Sequence, residues 1–305
     1  MMGTASLPRQ TGAALIVVMV MVTIIAGVLA TTFYQHDVDI TRVGRMLHSE
    51  RAALVALSGE SWAIQVLKDD PTNIDTLEDD WAIAMPAMPV EGGSLTGSLV
   101  DLQSRFNINN LQRYSRVTPK VDTGNSDLAI LLRLAAVGEQ LLTITHLASL
   151  IDWLDSDDVA LPGGAEAGTY LLKNPPYRPA NSLMVSSQEL ALVTGFEPPL
   201  VKALQPWVTT LPIPTAVNVN TASAEVFQAL HQEISATVAE TLVKTREQAP
   251  WNSIQEFSAA LDEALNASPP GTGLQWLQTL PKDMQIKGFT PVSVNSRFFQ
   301  LNVGV

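Results

Sequence analysis

Five carboxylates fall within a short stretch near the middle of the chain, and their spacing is the clearest sign of chemistry in the sequence. Gly163 and Gly164 interrupt this stretch and allow backbone carbonyls to turn inward. Calcium takes about 6–8 oxygen ligands, most of them carboxylate or carbonyl oxygens. The pattern predicts a calcium site, while a solvated acidic loop without a metal would show the same spacing. The five residues are Asp152, Asp155, Asp157, Asp158 and Glu166.

Other reactive groups find little support in the sequence. The chain has no cysteine, which excludes thiolate metal sites, disulfides and cysteine nucleophiles. Its four histidines lack metal-ligand spacing, and the sequence contains neither a P-loop nor a dinucleotide-binding fingerprint. The residues around Ser61 approach a nucleophile elbow but lack its second glycine. We therefore predict that the protein is not an enzyme.

Nucleic acid is a poor partner for this chain on charge alone. The net charge is −12 and the sequence pI is about 4.7, so binding to phosphates would release no counterions. The stretch Val217–Ala222 and the two helices predicted after it resemble a helix-hairpin-helix module. The corresponding hairpin at Leu230–Ser235 has no glycine to bring backbone amides to phosphate, and it carries Glu233. A packing role is the better interpretation, and we predict no nucleic-acid partner.

The acidic loop is expected to lie within a block of helices. Apolar residues recur at helical spacing over 127–154, which predicts two helices that break near Gly138, with the acidic loop directly after them. Short helices are expected at 187–190 and 201–204. Further helices are expected at 224–231, 236–248 and 254–265.

Strand-like runs lie on both sides of this helical block. The alternation at 98–102 predicts one strand, and 290–303 reads as two strand-like runs, together or as a hairpin. The Pro-, Gly- and Met-rich stretch 85–97 is expected to be a loop. We predict an α+β fold whose antiparallel sheet is built from about 80–115 and 280–305 and is interrupted by a large all-helical insertion.

The N-terminal part of the chain predicts one long helix with a membrane-embedded first half and a water-exposed second half. An uncharged run extends from Ala13 to His36, and crossing a bilayer core of about 30 Å takes about 20 apolar residues. No proline falls between Ala13 and Asp70, so one helix of about 55 residues, about 80 Å long, is feasible. A cut after Gly12 would leave the apolar run on the mature protein. Arg9 weakly favours a cytoplasmic N-terminus.

These features together resemble the K-type minor pseudopilins of bacterial type II secretion systems. The resemblance spans most of the chain and keeps the family's motif order. Ser104 stands where the family usually has glycine, and Ala13 stands where most pilins have phenylalanine. The stretches that carry it are Arg9–Val18, Asp101–Leu111, Asp152–Asp158 with Pro162–Glu166, and Val217–Ala222.

The resemblance implies how the chain is processed and divided. A prepilin peptidase would cut after Gly12, and the new terminus at Ala13 would be a site of methylation. Most pseudopilins carry glutamate at the fifth mature position, where this chain has Val17. Without that charge nothing can stack above it, so Val17 would define a tip subunit. The implied division is a leader at 1–12, a pilin helix at 13–70 with its transmembrane part at 13–35, an α/β domain at 71–115 and 280–305, and an inserted helical domain at 116–279.

The resemblance also implies a place in the cell and a set of partners. The protein would be a single-pass inner-membrane protein with most of its chain in the periplasm. It would join I-type and J-type minor pseudopilins at the tip of a filament of major pseudopilin, prime assembly, and support the export of folded exoproteins. The family's inserted domain binds Ca²⁺, which favours calcium at the acidic loop. The alternatives are a tip subunit of a type IV pilus and, less favoured, a membrane-tethered DNA-binding protein.

Overall fold

A single long helix opens the chain. The computed structural model describes residues 11–70, 73–90, 93–114, 126–266 and 291–305, without the side chains of residues 11–13. Helix α1 extends over Thr11–Asp69, 59 residues, and its most apolar window has a mean hydropathy of 2.8 with no residue buried. Length and composition therefore suit a membrane span, and the predicted long N-terminal helix is confirmed. The predicted leader lies outside the described residues, apart from its last two.

Short helices and strands follow α1 in alternation. Several helix starts carry a side-chain cap, as at Ser223 and Ser235, whose hydroxyls accept hydrogen bonds from backbone N–H groups of the first turn. Within the described residues the further helices are α2 (Asp127–Val137), α3 (Ile144–Leu154), α4 (Ala167–Tyr170), α5 (Pro198–Leu204), α6 (Ala224–Leu230), α7 (Ala236–Gln248) and α8 (Ile254–Ala264), with 3-10 turns at Asp80–Ala82, Leu102–Ser104, Ile108–Tyr114 and Ser187–Leu192. The strands are β1 (Met85–Val90), β2 (Gly93–Asp101), β3 (Phe106–Asn107), β4 (Val208–Thr209), β5 (Val217–Asn218), β6 (Val292–Ser293) and β7 (Phe299–Gly304).

The last turns of α1 pack on a three-stranded antiparallel sheet, and we call this unit the stem. The strand order is β1-β2-β7, so the central strand pairs with the end of the chain, as Leu99 with Leu301. Trp81 is buried under the sheet, and its ring meets the ring of Phe299 edge-on at 4.8 Å. The predicted pairing of distant sheet segments and the α+β class are confirmed.

One expected loop is a strand instead. Residues 85–97 contain β1 and the start of β2, although their composition is that of a loop. Pro86 and Pro89 are compatible with β1 because it is an edge strand, where one side of the backbone needs no partner. The register shifts between Met85 and Met88, which takes up the irregularity. The prediction of a loop was therefore wrong.

The helical block consists of two modules, each opened and closed by a pair of short parallel strands. The first module opens with β3 and closes with β4, with Phe106 opposite Val208. The second opens with β5 and closes with β6, with Val217 opposite Val292. Helix α2 of the first module packs on α6 of the second, so the two modules share one core.

An asparagine near the start of each module clamps a distant backbone segment. Asn109 donates to the carbonyl of Met184 at 2.9 Å and accepts from its N–H at 3.0 Å. Asn220 makes the same two bonds with Trp251, at 2.9 and 3.0 Å. All four residues are buried, so the clamps satisfy backbone groups that water does not reach. The asparagine-bearing stretch near residue 218 therefore has the packing role that we expected.

The helices follow the sequence-based expectations closely, and the C-terminal strands do so less. Helix α7 has the predicted bounds, and α6 and α8 each end one residue early. The two runs within 290–303 do not form a hairpin, because β6 pairs with β5 while β7 pairs with β2. The predicted insertion boundaries at 116 and 279 fall outside the described residues.

A buried carboxylate joins the stem to the second module. Asp101, the last residue of β2, accepts from Asn218 at 3.2 Å, from Thr221 at 2.5 Å and from Ser296 at 2.7 Å through Oδ2. Its Oδ1 accepts from the N–H of Gln103 at 2.7 Å. Burial raises the pKa of Asp101, and these hydrogen bonds act in the opposite direction. We call Asp101 with these four donor residues the polar joint.

Candidate metal site

The acidic loop reverses the chain between α3 and α4. Asp155 directly follows α3 and its N–H donates to the carbonyl of Ile151 at 2.9 Å, and the loop runs to Glu166, which precedes α4. A Cβ on Gly164 would lie 1.9 Å from Oδ2 of Asp152, so only glycine allows the loop to close over this carboxylate. The neighbouring Gly163 has a φ of +82°, a left-handed conformation that also favours glycine.

Three of the predicted ligands converge. One carboxylate oxygen from each of Asp155, Asp157 and Glu166 lies within 4.8 Å of the others. Asp155 and Glu166 are buried, and Asp157 is exposed at the rim. Both carboxylate oxygens of Glu166 are buried without a hydrogen-bond donor among the described residues. An ionised carboxylate in that position is costly unless something pairs with it.

The electrostatics of the cluster favour uptake of a cation. Burial raises the pKa of Asp155 to about 6, with a further contribution from Asp157. Burial, followed by the charges of Asp152 and Asp155, raises the pKa of Glu166 to about 7. Within the described part of the chain, no Lys, Arg or His makes an ion pair with this cluster. A bound divalent cation would supply the missing positive charge.

The other two predicted ligands have protein partners. Asp152 is fully buried, and its carboxylate accepts from the N–H of Leu161 at 3.1 and 3.2 Å. Asp158 accepts from Asn181 at 3.1 Å. Asp152 therefore shapes the loop, and Asp158 ties it to a later segment. The converging set is the smaller group of Asp155, Asp157 and Glu166.

This donor set fits calcium chemically. All three groups are hard oxygen donors, and a shortfall of protein ligands is commonly filled by backbone carbonyls and water. Trp153 lies between Asp152 and Asp155 in sequence and is buried, with its ring 5.3 Å from that of Tyr170. Its fluorescence is therefore placed to report on the loop. Calcium at this loop stays a prediction.

Sequence reasoning missed two features. Asn181 lies beyond the acidic stretch, and no spacing rule connects it to the loop that it contacts. A second group of carboxylates, at Asp70, Asp75 and Asp79, has oxygens within 4.8 Å of one another. The acidic composition after α1 could have indicated it. Asp79 already accepts from Trp81 at 3.1 Å and from Thr76, so this group serves the local fold.

The predicted processing residues all lie at the start of α1. Gly12 and Ala13 belong to its first turn, where the structure describes only the backbone. Val17 lies in the following turn with its side chain 53% exposed, as expected of a residue that faces lipid or another helix. These placements leave the predicted cleavage, methylation and tip roles as predictions.

Comparison with known proteins identifies relatives along most of the chain. Two family models, both described as type II secretion system (T2SS) protein K, match residues 104–213 and 217–275. A type II secretion system protein K of Pseudomonas aeruginosa is 32% identical over 83% of this chain and 78% of its own length. The corresponding protein of Aeromonas hydrophila is 30% identical over 86% of this chain and 83% of its own length.

A solved structure shows the same fold. A chain in the crystal structure of the GspK-GspI-GspJ complex from enterotoxigenic Escherichia coli superposes with a TM-score of 0.63. The match covers 86% of this chain and 88% of the other, at 22% identity. The division between the two family matches, after residue 213, coincides with the junction between the two modules. The chain belongs to the type II secretion system protein K family.

Proposed function

We propose that the chain is the minor pseudopilin that caps the type II secretion pseudopilus. It is held in the inner membrane by α1 with its bulk in the periplasm, and it primes the filament together with I-type and J-type minor pseudopilins. The observation that carries this proposal is a 59-residue helix with a wholly exposed apolar window, in a chain of the protein K family. Pseudopilins pack such helices against one another to form the shaft.

Two physical features support a position at the tip. Val17 offers no carboxylate to pair with the terminal amine of a neighbouring subunit, so a subunit stacked above would leave that amine buried and unpaired. The two modules also make the globular part much larger than the stem alone, and a second subunit placed directly above would collide with them. Cleavage after Gly12 by the prepilin peptidase, with methylation at Ala13, completes the proposed maturation.

The partner assignment is testable by co-purification. The similar GspK chain was solved in a complex with GspI and GspJ, which makes I-type and J-type pseudopilins the first partners to try. Residues 35–305 should co-elute with the soluble parts of both partners and fail to co-elute with the major pseudopilin alone. N-terminal sequencing of full-length protein from membranes should begin at Ala13. An intact leader, or a ternary complex that never forms, would refute the proposal.

Two alternatives have direct tests. A type IV pilus tip subunit would share the features of α1, and finding secretin and pseudopilin genes beside this one would dispose of that alternative.

A membrane-tethered DNA-binding protein would use the region from Asn218 to Leu261. A gel-shift experiment at low salt should show no retardation, because this acidic surface repels phosphate.

We further propose that Asp155, Asp157 and Glu166 bind calcium and thereby fix the loop between α3 and α4. Calcium supplies the positive charge that this cluster of carboxylates lacks. At a calcium concentration about 100 times the Kd, binding stabilises the fold by about 2.7 kcal/mol. The melting temperature of wild-type protein should rise with calcium and return with chelator, whereas Glu166→Gln should abolish the shift. An exposed acidic residue, as in Asp80→Asn, is the matched control and should keep it.

A further inference from the structure

Asn181 connects the metal loop to a distant segment of the first module. Its side-chain amide donates to the backbone carbonyl of Asp157 at 2.8 Å and to Oδ1 of Asp158 at 3.1 Å. The amide cannot be turned over, since its oxygen would then face two acceptors. Asn181 thus fixes the backbone of Asp157, and the carboxylate of Asp157 lies at the exposed rim of the cluster.

Asn181 holds this position at a cost to the fold. Its φ is +45°, in the left-handed region, which asparagine occupies more readily than most other non-glycine residues. Its Oδ1 is buried and has no hydrogen-bond donor among the described residues. A buried unsatisfied acceptor costs about 1–3 kcal/mol. A buried acceptor retained at this cost points to a role of Asn181 in holding its neighbours.

The segment around Asn181 has few other attachments. We call residues 178–183 the latch segment, which contains no regular secondary structure. Before it, Tyr177 donates to the carbonyl of Leu192 at 2.7 Å, and after it Met184 is held by Asn109. Between these anchors, the hydrogen bonds found in the described residues are those of the Asn181 side chain. Within the described residues, the polar attachment of the latch segment is therefore to the metal loop.

We propose that Asn181 is a positioning residue for the metal loop, so that cation binding and the order of the latch segment depend on each other. This inference rests on the calcium site proposed above. Because coupling between two events is reciprocal, the latch must raise calcium affinity by the same factor by which calcium stabilises the latch. Residues that orient metal ligands typically contribute about 10–100-fold in affinity.

Calorimetric titration of full-length protein in detergent with calcium chloride tests the affinity. Asn181→Ala and Asn181→Gly should both bind calcium about 10-fold more weakly than wild type. Glycine adopts a φ of +45° without strain, so a loss shared by both variants comes from the missing amide. Ser182→Ala, a change at the exposed neighbouring residue, should stay within about 2-fold of wild type and serves as the control.

Hydrogen exchange tests the order of the latch segment separately from the calcium affinity. In wild-type protein, calcium should slow exchange at residues 178–183, and in Asn181→Gly this effect should disappear. Suppose that wild type binds calcium, that Asn181→Gly binds it with the same affinity, and that exchange at residues 178–183 does not respond to calcium. These results would overturn the inference about Asn181 and leave the calcium site standing. No calcium binding by wild type would overturn the calcium site itself.

Discussion

Replacement of Asp101 by alanine should severely destabilise the connection between the stem and the second module. The carboxylate accepts four hydrogen bonds from four residues of the polar joint, and Asp101 is only 3% exposed. Alanine would leave the donors of Asn218, Thr221 and Ser296 without this acceptor in a place where water cannot easily replace it. Hydrogen bonds to a charged group contribute about 1.5–3 kcal/mol each, and their sum is not additive.

The desolvation of the carboxylate offsets part of this gain, as the raised pKa of Asp101 indicates. Each buried donor that loses its acceptor typically costs about 1–3 kcal/mol. We therefore expect Asp101→Ala to lower the free energy of unfolding by about 4 kcal/mol. In a domain of about 200 residues this corresponds to a fall of about 8–16 °C in melting temperature.

Thermal unfolding of full-length protein in detergent at pH 7.5, followed by tryptophan fluorescence, provides the measurement. Asp101→Asn keeps one carbonyl acceptor and should fall between wild type and Asp101→Ala. Asp80→Ala removes an exposed aspartate and should stay within about 0.5 kcal/mol of wild type. If Asp101→Ala melts within 2 °C of Asp80→Ala, the polar joint does not stabilise the fold and the reasoning is wrong.

Three further predictions concern pH and packing. Burial raises the pKa of Asp75 from 3.8 to about 6, so this group contributes stability that is fully present below about pH 4 and is lost as the pH rises through 6. Asp75→Asn should therefore gain melting temperature relative to wild type between pH 4 and pH 7, and parallel profiles would contradict this. At low pH, calcium must displace protons from Glu166, with a pKa of about 7, and from Asp155, with a pKa of about 6. The Kd for calcium, measured by calorimetry, should therefore be at least about tenfold larger at pH 5.5 than at pH 8. Leu134→Ala, at a fully buried position of α2, should lower the free energy of unfolding by about 2–5 kcal/mol in urea titrations, and a cost below 1 kcal/mol would place α2 outside the core.

The sequence was informative where one local rule decides the structure. A proline-free apolar run defined α1, and apolar spacing placed α6 to α8 within a residue of their bounds. Carboxylate spacing indicated five candidates, and three of them, Asp155, Asp157 and Glu166, converge because they lie in one loop. Such features depend on residues that are close together in the chain.

Features that depend on distant residues could not be read in this way. Strand-like runs were visible around β5 and β6, but the parallel pairing of these two-residue strands joins distant parts of the chain and no local pattern predicts it. The prolines of β1 indicate a loop until the strand is known to be at an edge. Asn181 is the same kind of case, since only the folded chain brings its amide to Asp157.

The pairing of β2 with β7 has a consequence for the order of events during synthesis. The central strand of the stem stays half-paired until the last residues of the chain arrive, whereas both modules can close once β6 has emerged. Bringing together residues so far apart in sequence is slow, and an unpaired strand edge invites aggregation in the interval. A nascent chain that stops a few residues early, before Leu301, would thus carry finished modules on a stem that never closes.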